Sequence, residues 1–292
     1  MQTTISLRVN RAPRTLHDWA PDDRGRRLAE LTRAYRDLLV RMPYSSAAPV
    51  YAVAGETSPT VFGGNCIDQA EAAKALADSI MGCESRYLRD HRHHAVHVPL
   101  EYGALILDPY LLHSSPAFLN GGSKRQHAYP RVDGVEGFVV FRQTGDWIGL
   151  EKKVFNPAAR AYQTAQFCMS IGSANIERPS RADASIAFAP EQTSLSVRVL
   201  DPSIQALIHL VYPVSRLRGE PVREQCLYVK QSGSEVICAT DRVRFREATD
   251  RLAHLLGCAY LEVIDYLLHA AVLYETHAPQ GIRYYSANPT NQ

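Results

Sequence analysis

The sequence predicts an α+β fold in three consecutive parts, and three observations lead to it. Apolar residues recur at helical spacing over residues 28–39 and again after Asn65. From Ser85 to Thr240 the pattern becomes extended, with short apolar runs separated by turn residues. From Phe245 the helical period returns. Helices followed by strands, then strands with helices, make an α+β arrangement. The expected parts are a helical domain over 1–88, an antiparallel β-rich domain over 89–200 and a C-terminal α/β segment over 201–292.

In chain order, LAELTRAYRDLL places Leu28, Leu31, Tyr35, Leu38 and Leu39 on one helical face, and Pro43 ends that helix. A Ser-, Ala- and Pro-rich stretch runs to Gly64. Asn65 then caps a second helix, Cys66 to Met81, with Asp68 in its first turn and Gly82 closing it. HVPLEYGALILD reads as a β-hairpin with Tyr102-Gly103 at its tip. GVEGFVVFRQTGDWIGLEKKVF reads as another, turning at Thr144-Gly145, with Phe138 and Trp147 expected in the core. Between them, 112–134 is long and patternless enough to be a functional loop, although its Gly-Gly-Ser-Lys lacks the spacing of a phosphate loop. EQCLYVKQSGSEVICAT turns at Ser232-Gly233. FREATDRLAHLLG and AYLEVIDYLLHAAVLYE are the closing helices, and Tyr284 and Tyr285 cover either a cleft or plain surface.

Composition narrows the function classes. With 46% hydrophobic and 21% charged residues, the 292-residue chain can build a substantial core. A formal charge of +2 gives no field that would draw nucleic acid or an anionic membrane. No apolar stretch approaches the roughly 18–20 residues of a membrane span, and the first residues lack a signal-peptide core. A cytoplasmic location is therefore expected, with no membrane or nucleic-acid partner. The six cysteines carry no C-x-x-C pair and are expected as free thiols.

One of those cysteines stands apart. Cys66 follows Gly63, Gly64 and Asn65 at the start of a helix, where unpaired N–H groups and the macrodipole favour a thiolate. A catalytic thiol needs a base and a group to orient that base. A hairpin centred on Tyr102-Gly103 would set His97 directly opposite Asp108, on one face. His93 and His94 fall outside that register, and His113 lies beyond the aspartate. His91, His93 and His94 are expected on a solvated strand edge.

The resulting order resembles a known family. GGNCID is similar to the G-G-x-C-x-E motif of the arylamine N-acetyltransferases, and Cys66, His97 and Asp108 follow the Cys-His-Asp order of that family and of the wider transglutaminase-like superfamily. LAELTRAYRDLLVRMPYSS resembles the helix before the catalytic one, and FREATDRLAHLLGC the closing helix. The resemblance implies a papain/transglutaminase-like core with a barrel-like central β-domain. It implies an acyl-enzyme on Cys66, formed from an acyl-CoA or acyl-carrier-protein thioester and transferred to an amine, with no bound cofactor. Phe62, Gly63, Gly64 and Tyr110 would lie on the substrate side. Phe62 replaces the family's arginine, and Asp-Pro-Tyr replaces its Asp-Val-Gly. Those changes leave open an amide- or lactam-forming, or a thioester- or amide-hydrolysing, enzyme of natural-product biosynthesis. HRHHAVH separately suggests metal binding through His91, His93 and His97 on alternate strand positions. A catalytically inactive scaffold is the remaining class.

Overall fold

In the computed structural model, α1 (Pro21–Arg41) buries Leu31, Tyr35 and Leu39 and leaves Leu28 40% exposed. The structure describes residues 21–90, 93–120, 126–132, 135–156, 161–180, 182–189, 192–214, 221–231 and 235–278. After β1 (Tyr44–Ser45) and α2 (Ala48–Val53), α3 (Cys66–Met81) begins and ends where its caps predict, with Asn65 at one end and left-handed Gly82 at the other.

Three open antiparallel sheets follow among the described residues. The first contains β2 (Arg86–Asp90), β3 (His93–Leu100), β4 (Gly103–Leu107) and β5 (Ala117–Asn120) in that order. The second contains β6 (Gln126–Pro130), β7 (Phe138–Thr144), β8 (Trp147–Asn156) and β9 (Ala161–Ser170). A short α4 (Ala184–Ala187) leads to the third, where β1 pairs with β10 (Ser194–Asp201), followed by β11 (Ala206–Pro213), β12 (Tyr228–Gln231) and β13 (Glu235–Cys238). The chain then forms α5 (Arg242–Leu256) and α6 (Tyr260–His277). The α+β class stands, but the central strands are not a closed barrel. Strand pairing also runs across both expected boundaries: 88 falls inside β2, 200 falls inside β10, and β1 joins the third sheet.

The first sheet is buried on both faces. Val96, Val98, Leu105 and Leu107 pack on α1 and the Ala70, Ala73 and Ala77 stripe of α3. Ala95, Ile106 and Leu119 face Val139, Phe141 and Leu150 of the second sheet. The third sheet packs on α2, α5 and α6.

Several local expectations change. The patternless 112–134 stretch contains both β5 and β6, and residues 121–125 and 133–134 lie outside the described residues. Trp147 is 55% exposed, because it closes the hairpin end next to Gly145-Asp146 rather than entering the core. The turn at Ser232-Gly233 and both Tyr284 and Tyr285 lie outside the described residues. Among the described residues no single helix is long and apolar enough to cross a membrane.

Candidate active site

The N-terminus of α3 is built by a reciprocal capping arrangement. The Asn65 side-chain oxygen accepts from the N–H groups of Ile67 at 2.9 Å and Asp68 at 3.3 Å. The Asp68 carboxylate accepts from the Asn65 N–H at 3.0 Å. A side chain at Gly64 would overlap the Asp68 carboxylate, and one at Gly63, where φ is +73°, would overlap the Pro43 carbonyl. The close neighbours at these glycines belong to the chain itself, and neither glycine borders the cleft over Cys66. Phe62 is also displaced from its expected role: it is buried and stacks on Tyr266 at 4.0 Å. These three residues fix the position of Cys66 from beneath. Asn65→Ala should cost about 1 kcal/mol in urea unfolding. Gly64→Ala should cost more than that, since its Cβ must push the capping carboxylate out of place.

The β3–β4 hairpin exists, but its register differs from the expected one. Leu100 pairs with Gly103, so the turn is Glu101-Tyr102 and His97 sits opposite Ile106. The cause lies at Gly103. Its φ is +149° and a Cβ there would overlap the Leu119 carbonyl of β5, so this glycine admits a neighbouring strand rather than forming the tip. Moving the turn separates His97 from its expected partner Asp108. His97 instead lies between Arg86 and Ile106, with a buried Nδ1 that has no hydrogen-bond partner. Burial, reinforced by Arg86, holds its pKa down to about 4.

His93, at the start of β3, takes the place expected of His97. Its Nε2 lies 2.6 Å from Asp108 Oδ2, and its side chain also hydrogen-bonds Cys66. With Nε2 committed to the carboxylate, Nδ1 is the atom left for the thiol. The ring is 3% exposed and packs 4.1 Å from Phe167 and 5.0 Å from Tyr110, measured between centroids. His93 and His94 are thus buried, not on a solvated edge. Burial disfavours the His93 cation, but the charge and hydrogen bond of Asp108, then those of Cys66, outweigh it and raise its pKa to about 10. For His94, burial and then the charge of His93 hold the pKa at about 4.

The His93 shift has a consequence for stability. The folded state keeps a proton that the unfolded chain releases near its ordinary value of 6.5. That contribution is complete below pH 6.5 and is lost as pH rises through about 10. Urea midpoints measured across this window should fall more steeply for the parent protein than for a His93→Gln variant.

Asp108 is held on every side. It is fully buried, and its second oxygen accepts from the Leu111 N–H at 3.3 Å. Its own N–H donates to His113 Nε2 at 3.0 Å, and Tyr35 Oη donates to the same nitrogen at 2.9 Å. His113 Nδ1–H donates to the Ser115 carbonyl at 2.6 Å. His113 is therefore a neutral ring that positions the aspartate, in line with the lowering of its pKa by burial. Arg131 Nε donates to the Leu111 carbonyl at 3.1 Å and pins the far side of the turn.

A cleft of about 90 Å³ opens over the thiol, bounded by Tyr44, Asn65, Cys66, His93, Tyr110 and Phe167. Tyr110, expected on the substrate side, lines this cleft. Tyr44, on the short β1, and Phe167, on β9, had no local signal, since the first sits in a two-residue strand and the second in a strand far along the chain. Cys66 is 6% exposed, and the other cysteines are free thiols as expected. Among the described residues no cluster of three or more His, Cys, Asp or Glu side chains is arranged to hold a metal ion, and His91 lies outside them. The arrangement is a buried thiol, an imidazole bonded to it and a buried carboxylate behind the imidazole. No family model, curated protein sequence or solved structure matches the chain.

Proposed function

We propose that the protein is a thiol-dependent acyltransferase, built on a papain/transglutaminase-like core and similar in mechanism to the arylamine N-acetyltransferases. The observation that supports this most directly is His93 held between Asp108 and Cys66 at the wall of a cleft. The packing of α3 across the sheet that carries His93 supports the core assignment.

In this reading Cys66 rests as a thiolate beside the His93 imidazolium. The sulfur attacks the carbonyl of a thioester, acyl-CoA or acyl-carrier protein, and the π electrons move onto oxygen. The positive end of α3 favours that oxyanion. Collapse expels the donor thiolate, which takes the His93 proton and leaves as a thiol. An amine then attacks the acyl-enzyme and gives a proton to His93. The second collapse releases an amide and restores the thiolate–imidazolium pair. Asp108 keeps the ring oriented and stabilises its charge throughout.

The test is intact-protein mass spectrometry after incubation with a panel of acyl-CoA and acyl-carrier thioesters. One acyl mass should appear on the parent protein and none on Cys66→Ala. Addition of an amine should discharge it as an amide. An adduct that persists on Cys66→Ala would overturn the assignment, and free acid as the only product would make the enzyme a hydrolase.

A further inference from the structure

The cleft over Cys66 adjoins a larger cavity of about 570 Å³, and the two share Tyr44, Ser46, Tyr110 and Gln192. Among the described residues the larger cavity is lined by Arg131, Lys152, Arg198 and Lys230, and by no aspartate or glutamate. Among the described residues none of these four cations lies within ion-pair distance of a carboxylate. Both arginines are instead held by neutral groups. Arg198 donates to the Tyr110 carbonyl at 2.7 Å, with its guanidinium 4.4 Å from the Tyr44 ring centre and 4.6 Å from that of Tyr110. Arg131 donates to the Leu111 and Glu136 carbonyls.

Such a cluster is electrostatically unfavourable on its own. Burial, and then Arg198, lowers the Arg131 pKa to about 10. Lys152 is favoured as a cation by Tyr110, yet burial and both arginines outweigh this and lower its pKa. His209 also lines the cavity. Burial and three neighbouring cations hold its pKa at about 3, and its buried Nε2 has no hydrogen-bond partner. The chain as a whole carries only +2, so the excess is local. A concave site lined by one sign of charge concentrates ligands of the other sign.

We propose that this cavity is an oxyanion-binding subsite, and that the molecule whose carbonyl reaches Cys66 carries a phosphate or carboxylate group that seats among Arg131, Lys152, Arg198 and Lys230. The second half of that statement rests on the thiol chemistry proposed above. The shared wall at Tyr110 and Ser46 sets the cations next to the thiol cleft. Arginines already fixed by carbonyls are suited to oxyanion geometry, while the two lysines supply point charges.

The test is isothermal titration of the full-length protein at constant ionic strength, with inorganic pyrophosphate in one arm and succinate in the other. At least one should bind, and the arm that binds more tightly identifies the oxyanion as phosphate or carboxylate. The Lys152→Gln/Lys230→Gln variant should weaken that binding by about tenfold or more, while Lys230→Arg should retain it. A thermal unfolding scan establishes that each variant is folded. Absence of binding in both arms to the parent protein would overturn the proposal, as would undiminished binding by a folded Lys152→Gln/Lys230→Gln protein. Both arms are repeated on Cys66→Ala, where binding should persist. Anion binding without any acyl adduct on Cys66 would therefore overturn the thiol chemistry and leave the subsite standing. An acyl adduct without anion binding would do the reverse.

Discussion

His93→Gln is expected to lower acyl-transfer kcat/KM by about 10³-fold or more, as loss of the base in a thiol triad does. His97→Gln is expected to leave kcat/KM near the parent value and to cost about 1 kcal/mol of stability. The contrast follows from geometry. Both histidines lie on β3, and both are buried. Only His93 joins Asp108 to Cys66, whereas His97 faces Arg86 and Ile106. Glutamine keeps a polar side chain of similar reach but cannot carry a proton between thiol and amine. A pH–rate profile adds a second readout, because the residual activity of His93→Gln should lose the limb set by the imidazole.

Asp108→Asn should be nearly as damaging, with a loss of about 10³–10⁴-fold. The carboxylate accepts on both oxygens, from His93 on one and the Leu111 N–H on the other. An asparagine can keep only one of these acceptors. If its amide nitrogen faces His93, it donates to Nε2 and forces the ring proton onto Nδ1, toward the thiol. If it faces Leu111, two N–H groups confront each other in a buried turn. Removal of the buried counter-charge should also destabilise the fold by about 3–5 kcal/mol. Unfolding in urea measures that loss. In the same experiment the stability decline between pH 6.5 and about 10 should flatten, because the raised His93 pKa depends on Asp108.

How far the site could be read in advance differed from residue to residue for physical reasons. The α3 start was legible because a capping box is local: Asn65 and Asp68 are three positions apart and satisfy each other. The presence of the β3–β4 hairpin was legible for the same reason. Its register was not, because Gly103 serves a third strand, β5, that no hairpin rule includes. With the true register, Ala95 is the position extrapolated opposite Asp108. His93 and His97 then both become same-face diagonal candidates. Only the position of Cys66 chooses between them, and that is a tertiary fact. Phe62 next to the glycines looked like a substrate contact, but it faces Tyr266 on α6, more than half the chain away. The basic cavity was invisible because Arg131, Lys152, Arg198 and Lys230 come from different strands and turns, and the chain's overall charge conceals them.

The central claim is that Cys66 is an activated nucleophile and that His93 activates it. Burial makes this easy to test. Cys168 and Cys238 are exposed, so an inert Cys66 should react more slowly than either. The decisive measurement is the iodoacetamide labelling rate of each of the six cysteines, mapped by peptide mass spectrometry in the parent, His93→Gln and His97→Gln proteins. Cys66 should label first in the parent and in His97→Gln, and fall behind the exposed thiols in His93→Gln. Labelling of Cys66 in the parent no faster than Cys168 and Cys238, or a rate unchanged by His93→Gln, would contradict the account.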